Sequence, residues 1–279
     1  MLDLPELVAY ERAGQHQLLG QPLLEVRLAK PEVFPPASRP IDVLLGRLVT
    51  EVRRLGLKLA LGFEGNYNCL FEFGPGSRLD WSNPGSRLSP RLGLLALDFP
   101  QGVLELREIP SPTIRSRCRL VSGAELAKIR NSGLDPLSVG PADWLSNLRR
   151  HSGPIHSVLT DPACIDQLGP GFAAELLQRA GIFPGESISV LTDEQILRIH
   201  HGLWQILQQG LPSTGESPFP GWPSIRNYLQ SPWSAPWQPR LSCPTCGTSL
   251  QRLGRDTSAA RYCPVCQPPA GGTSAKHQH

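Results

Sequence analysis

Over residues 1–120 apolar and polar side chains alternate with a period of two in several short stretches. Examples are Leu24-Glu25-Val26-Arg27-Leu28, Lys58-Leu59-Ala60-Leu61-Gly62-Phe63, Leu70-Phe71-Glu72-Phe73 and Val103-Leu104-Glu105-Leu106. Gly, Pro and Asn turns separate them, which is the pattern of short half-buried strands. One helix precedes them, predicted over Pro5–Leu19 with Leu7, Val8, Leu18 and Leu19 on its buried side. Strands of this kind predict a two-sheet antiparallel sandwich.

The periodicity changes at Ser122. Helices are predicted over 122–131, 141–150, 155–167, 170–181 and 192–209. Ser122 with Glu125, and Thr192 with Gln195, have capping-box spacing. Pro170 suits a first helical turn, and Gly181 suits a helix end. Segment 211–240 is rich in Pro, Ser, Gly and Trp and reads as a connecting loop around a short helix, Ser224–Gln230. A cysteine hairpin follows, and 268–279 reads as a disordered tail. The expected class is α+β, with a sandwich domain 1–121, a helical domain 122–237, a finger 238–267 and the tail.

Composition narrows this little. The 279 residues allow two or three domains, and 40% hydrophobic content supports real cores. No apolar run approaches the ~20 residues of a membrane helix. The N-terminus carries acids early and lacks a basic-then-apolar layout, so a cytoplasmic protein is expected. The net charge of +3 does not by itself announce nucleic acid. Arginine outweighs lysine, which suits forked phosphate contacts but follows equally from a compositional bias.

The cysteines change the picture. Cys243-Pro-Thr-Cys246 and Cys263-Pro-Val-Cys266 are two knuckles separated by sixteen residues. That spacing closes a four-thiolate shell around one zinc ion, in preference to disulfides or a redox dithiol. Four sulfurs leave no position for substrate, so the metal is structural. Gly247 follows the first knuckle where the chain must turn. Cys69, Cys118 and Cys164 read as small buried hydrophobes.

A sandwich, a helical domain and a C-terminal four-cysteine hairpin, in that order, resemble the formamidopyrimidine-DNA glycosylase and endonuclease VIII family. Leu2-Asp3-Leu4-Pro5-Glu6 is similar to the family's N-terminal Pro-Glu-Leu-Pro-Glu. Gly133-Leu134-Asp135-Pro136-Leu137-Ser138 is similar to its Gly-Pro-x-Pro-Leu-Ser. Ile155 through Glu175 resembles its helix–two-turns–helix segment and runs on into Arg179-Ala180-Gly181-Ile182-Phe183-Pro184. The finger ending, Tyr262 to Gln267, is also close to the family's.

The resemblance implies excision of a damaged base by an N-terminal amine that attacks the sugar C1′ and forms a Schiff base, followed by strand cleavage. An α-amine with pKa near ~8 suits this better than a lysine near ~10.4. The family nucleophile, proline, is here Leu2, and its glutamate is Asp3; Asp3 and Glu6 are the proton-handling carboxylates. A side chain as large as Leu2 should block removal of Met1 and displace the amine by one residue. Arg53-Arg54-Leu55-Gly56-Leu57-Lys58 resembles the string carrying a phosphate-binding lysine, which makes Lys58 a candidate catalytic-site residue; a shift of one place would turn it to the other strand face.

The family's Gly-x-Gly-Asn clamp falls on Gln167-Leu168-Gly169-Pro170, leaving Gly169, Gly171 and a helix N-terminus to seat an anion. His156 occupies the place of a family lysine. Ser258 stands where the finger arginine is expected, with Arg255 and Arg261 nearby. The wedge that fills the space of an extruded base falls on Pro75 and on Ile109–Arg115, where Ile114 is the apolar candidate.

Three readings follow. The first is an active DNA glycosylase with AP-lyase activity. The second is an inactive relative that binds damaged or branched DNA. The third is a protein adaptor using Trp222, Trp233 and Trp237. The family expectation is a monomer on duplex DNA with one structural zinc and no membrane association.

Overall fold

The computed structural model describes residues 2–35, 40–74, 76–109, 116–129, 133–166, 168–210, 241–254 and 260–269, with the side chains of 208–210 excepted. Segment 211–240, with the expected helix Ser224–Gln230 and its tryptophans, lies outside the described residues, as does the tail from 270. The chain divides into two compact units, one within Met1–Arg130 and one of Asn131–Pro212 with the C-terminal residues.

The first unit begins with α1 (Leu4–Gln17), whose N-cap is Asp3. Leu7, Tyr10, Ala13 and Leu18 are buried in the core, but Leu19 is 45% exposed. The expected apolar face of α1 is thus corrected at its end, because the helix stops at Gln17 and Leu19 lies beyond it. Eight strands follow: β1 (Glu25–Leu28), β2 (Val49–Leu55), β3 (Lys58–Phe63), β4 (Tyr67–Glu72), β5 (Ser77–Ser82), β6 (Gly93–Phe99), β7 (Gly102–Glu108) and β8 (Arg117–Ser122). They form two four-stranded sheets of order β1-β6-β7-β5 and β2-β3-β4-β8, antiparallel throughout.

Leu59, Leu61, Phe63 and Phe71 of one sheet share a core with Leu79, Leu95, Leu97, Leu104 and Leu106 of the other. That shared core makes the pair a sandwich. α1 packs on β2 closely enough that a Cβ at Gly14 would meet Val52 Cγ1 at 2.8 Å. The Tyr10 hydroxyl accepts from the Leu79 amide at 3.0 Å, pinning the helix also to the sheet that contains β5.

The short helix α2 (Gly123–Lys128) opens on the expected capping box. Ser122 Oγ accepts from Glu125 N at 3.2 Å, and Glu125 Oε2 accepts from Ser122 N at 2.7 Å. Its Leu126 joins Ala60, Leu70 and Val121 in a separate cluster on the outer face of β3, β4 and β8. The first unit therefore extends through α2 rather than ending at residue 121.

The second unit holds α3 (Pro141–Leu148), α4 (Ile155–Thr160), α5 (Pro170–Ala180) and α6 (Asp193–Gly210). α4 was expected to run to 167. It ends at Thr160 because Asp161 precedes Pro162 and takes an extended conformation, ψ 114°, as the proline ring demands of its neighbour. α5 starts at Pro170 and closes on Gly181 with φ +67°, a left-handed C-cap that favours glycine. Thr192 and Gln195 complete the second capping box, Thr192 N to Gln195 Oε1 at 2.7 Å and Gln195 N to Thr192 Oγ1 at 3.2 Å. A hairpin of β9 (Gln251–Leu253) and β10 (Ala260–Tyr262) completes the unit. No described helix is long and apolar enough to cross a membrane.

Candidate nucleic-acid interface and metal centre

The start of α1 gathers three of the expected site residues. Leu2 is buried with the sandwich core, and Asp3 and Glu6 are 7% and 5% exposed. The Asp3 amide donates to Glu6 Oε2 at 2.9 Å, the return half of a capping arrangement. Burial, and then the charge of Asp3, push the Glu6 carboxyl up to about 8; the hydrogen bond from the Asp3 amide opposes the shift without cancelling it. Glu6 therefore carries a proton at neutral pH, one helical turn from the N-terminal residues.

Lys58 does not join this group. On β3 it shares a face with Ala60, away from the sandwich core that receives Leu2 and Leu7. Its Nζ lies 3.1 Å from Glu72 Oε1, an oxygen that also accepts from Arg119 Nη2 at 2.9 Å. The neighbouring Leu57 packs against the core. This is the alternation anticipated for a one-residue displacement, and the partner Glu72 was not anticipated.

In the second unit, His156 is 7% exposed on α4, and its Nε2 lies 3.0 Å from the Pro170 carbonyl at the start of α5. A carbonyl only accepts, so Nε2 carries the proton. Burial holds the His156 pKa below its ordinary value, which keeps the ring neutral. Gly169 is the N-cap of α5, and Pro170 contributes no N–H, so the run of helix amides begins at Gly171. Gln167 lies outside the described residues, as do Pro75, the loop 110–115 with Ile114, and Arg255 and Ser258 of the finger. Ile109, the first residue of the second wedge turn, is 56% exposed.

On the finger hairpin Arg261 is paired across the strands with Arg252. Burial, then the Arg252 charge, lower its pKa from the ordinary arginine value, yet a guanidinium stays charged at any physiological pH. No acidic residue occurs in 241–254 or 260–269, so the described part of the finger is wholly basic.

The sulfurs of Cys243, Cys246, Cys263 and Cys266 lie within 4.8 Å of one another. Cys243 to Cys266 is 3.8 Å and Cys246 to Cys263 is 3.4 Å. A tetrahedral ion with metal–sulfur bonds of about 2.3 Å needs sulfur separations of about 3.8 Å, so the set fits. Both knuckles make the same turn: Gly247 N donates to Cys243 O and Gln267 N to Cys263 O, each at 2.9 Å, with Gly247 at φ +74°.

Two glutamines not singled out from the sequence tie this centre to α5. Gln178 Nε2 donates to Thr245 Oγ1 at 2.8 Å, and Gln267 Nε2 donates to the Ile182 carbonyl at 2.7 Å. The one local signal for the latter was a glutamine directly after the last ligand.

No family model matches the sequence, but individual proteins are similar to it. Formamidopyrimidine-DNA glycosylase of Gluconobacter oxydans is 27% identical, with 96% of this chain and all of the relative covered. The Chloroflexus aggregans protein of the same name is 26% identical over 96% of this chain and 98% of its own length. Among solved structures, Lactococcus lactis Fpg in complex with abasic-site DNA aligns over 96% of this chain and all of its own. Its TM-score is 0.75 at 18% identity. The same protein with DNA containing an oxidised pyrimidine aligns equally well, at a TM-score of 0.75 and 18% identity. Over nearly its whole length this chain is similar to formamidopyrimidine-DNA glycosylases in sequence, and it shares the fold of Lactococcus lactis Fpg.

Proposed function

We propose that the protein is a DNA-repair protein of the formamidopyrimidine-DNA glycosylase type. It binds damaged or abasic duplex DNA, as a cytoplasmic monomer, and removes oxidised bases with strand cleavage through its N-terminal amine. The observation that supports a retained chemistry is Glu6, a buried carboxyl held near 8 at the N-terminal end of α1. In this reading the α-amine, itself near ~8, uses its lone pair to bond C1′ of the sugar. The glycosidic bond breaks, its electron pair leaves with the base, and Glu6 supplies the proton the leaving base needs. The Glu6 carboxylate then takes a proton from the new C1′ amine and passes it to O4′ as the C1′–O4′ bond breaks, which opens the sugar to a Schiff base. Loss of the C2′ proton to water then breaks the C3′–O bond, whose electron pair leaves with the 3′ phosphate.

Asp3 supports the protonated state of Glu6 by its charge. One zinc held by Cys243, Cys246, Cys263 and Cys266 would stiffen the hairpin that presents Arg252, with the largely buried Arg261 opposite it, and takes no part in the chemistry. Gly169 and Gly171 at the start of α5 offer the second anion seat.

Borohydride trapping with abasic-site DNA tests the proposal. A covalent adduct, lost in Glu6→Gln or on blocking the N-terminal amine, is expected. Intact mass then states whether Met1 or Leu2 supplies that amine. Absence of both adduct and strand cleavage overturns it in favour of a non-catalytic DNA-binding relative. The burial of Leu2 with the core, and the placement of Lys58 on the opposite sheet face, favour that second reading. Both readings require DNA affinity that falls steeply with salt.

A further inference from the structure

Of the two glutamines that link the four-cysteine centre to the helices, one is fully buried. Gln267 has no exposed surface, and each end of its side chain is used. Oε1 accepts from the backbone N–H of the ligand Cys263 at 2.9 Å, and Nε2 donates to the Ile182 carbonyl at 2.7 Å. Its own backbone N–H donates to Cys263 O at 2.9 Å. Residue 267 therefore closes the second knuckle and reaches out of it.

The far end of this bridge is the C-terminal cap of α5. Ile182 N donates to Leu177 O at 2.9 Å, and Gly181 N donates to Gln178 O at 3.0 Å around the left-handed Gly181. The two backbones approach closely here: a Cβ on Gly181 would lie 3.6 Å from the Cys266 carbonyl. Phe183, next along, meets Tyr262 edge-on with ring centroids 4.9 Å apart.

We propose that Gln267 is a positioning residue that couples occupancy of the four-cysteine site to the order of the α5 terminus. With an ion bound, the second knuckle is fixed and Gln267 holds Ile182, and with it the cap of α5. When the ion leaves, the knuckle relaxes and the Ile182 carbonyl loses its partner. The coupling runs both ways, because an amide bonded to a ligand's backbone and anchored on a helix end preorganises the ligand for metal. This goes beyond the proposed repair activity and does not depend on it.

A space-filling role for Gln267 predicts that Gln267→Leu, similar in volume, is silent. A positioning role predicts otherwise. In the full chain, zinc competition against a chromophoric chelator should show an affinity on the order of 10–100-fold weaker for Gln267→Leu. The cobalt-loaded variant should still display a four-sulfur tetrahedral spectrum. Backbone exchange at Gly181 and Ile182 should be fast in the zinc-loaded variant and equally fast in zinc-stripped wild type. Unchanged zinc affinity and unchanged exchange in Gln267→Leu overturn the proposal. So does a wild-type protein whose Gly181 and Ile182 amides exchange identically with and without zinc, a measurement that decides even where the variant does not fold. No readout involves DNA, so failure here is separate from failure of the repair function.

Discussion

Glu6 offers a quantitative test of the N-terminal site. Its carboxyl rises from an ordinary 4.5 to about 8 on folding, so the folded protein holds a proton that the unfolded chain releases. Stability from this group is fully present below the unfolded pKa and is lost as pH rises toward 8, after which it is flat. At about 1.4 kcal/mol for each tenfold change in proton affinity, the rise from 4.5 to about 8 corresponds to roughly 5 kcal/mol. The side chain is almost fully enclosed, so solvent screening does little to reduce it. Glu6→Gln keeps an oxygen to accept from the Asp3 amide and has nothing to ionise.

The first unit of wild type should therefore match Glu6→Gln near pH 4.5, fall behind it progressively up to about pH 8, and stay behind by a constant amount to pH 9. Unfolding free energies from amide exchange at Tyr10, Val52 and Leu61, corrected for intrinsic rates, report this unit alone. Asp3→Asn should shrink the gap, because the Asp3 charge is the second cause of the shift. A wild-type and Glu6→Gln difference that stays constant across the range would refute a buried, proton-holding Glu6, and with it the assignment of Glu6 as the acid for the departing base.

Elemental analysis should find one zinc per chain, and Cys263→Ser should release it together with the hairpin's exchange protection. Burial depresses the His156 pKa, so its contribution is complete above about 6.5 and is lost as pH falls. Acid unfolding of the second unit, followed by circular dichroism, should be less steep in His156→Gln. Thr192→Ala removes the cap of α6 and should lower the stability of the second unit by about 1 kcal/mol in urea unfolding.

The parts of this fold that were readable from sequence are those set by near neighbours. Both capping boxes, the glycine stop at Gly181 and the four-sulfur site depend on residues within a turn or a knuckle of each other. β3 and β4 were found by alternation although both their faces are buried, because α2 covers the outer one. No local pattern states where α2 packs. α4 was overextended because the apolar spacing continues past Pro162 while the backbone cannot. Alternation alone does not choose a face for Lys58, whose partner Glu72 lies on the next strand, and nothing local points from Gln267 to Ile182 in another element.

The loop between α4 and α5 shows how the divergence is organised. The resemblance expects a lysine and an asparagine here, both donors directed at phosphate. This chain has His156 and Pro170, and they are bonded to each other: a neutral ring nitrogen donates inward to a carbonyl. Two outward donors have been exchanged for one internal bond, which stabilises the loop and contributes no charge to a ligand. In the proposed function, phosphate binding then rests on the Gly171 amide and the finger arginines. Introducing His156→Lys and Pro170→Asn together reverses the exchange. Each phosphate newly neutralised steepens the dependence of log K on log salt by about 0.9 on duplex DNA. The double variant should therefore bind abasic-site duplex more tightly at low salt, with a slope steeper by about one. An unchanged slope would mean that DNA does not approach this loop, and that the start of α5 is not part of the interface.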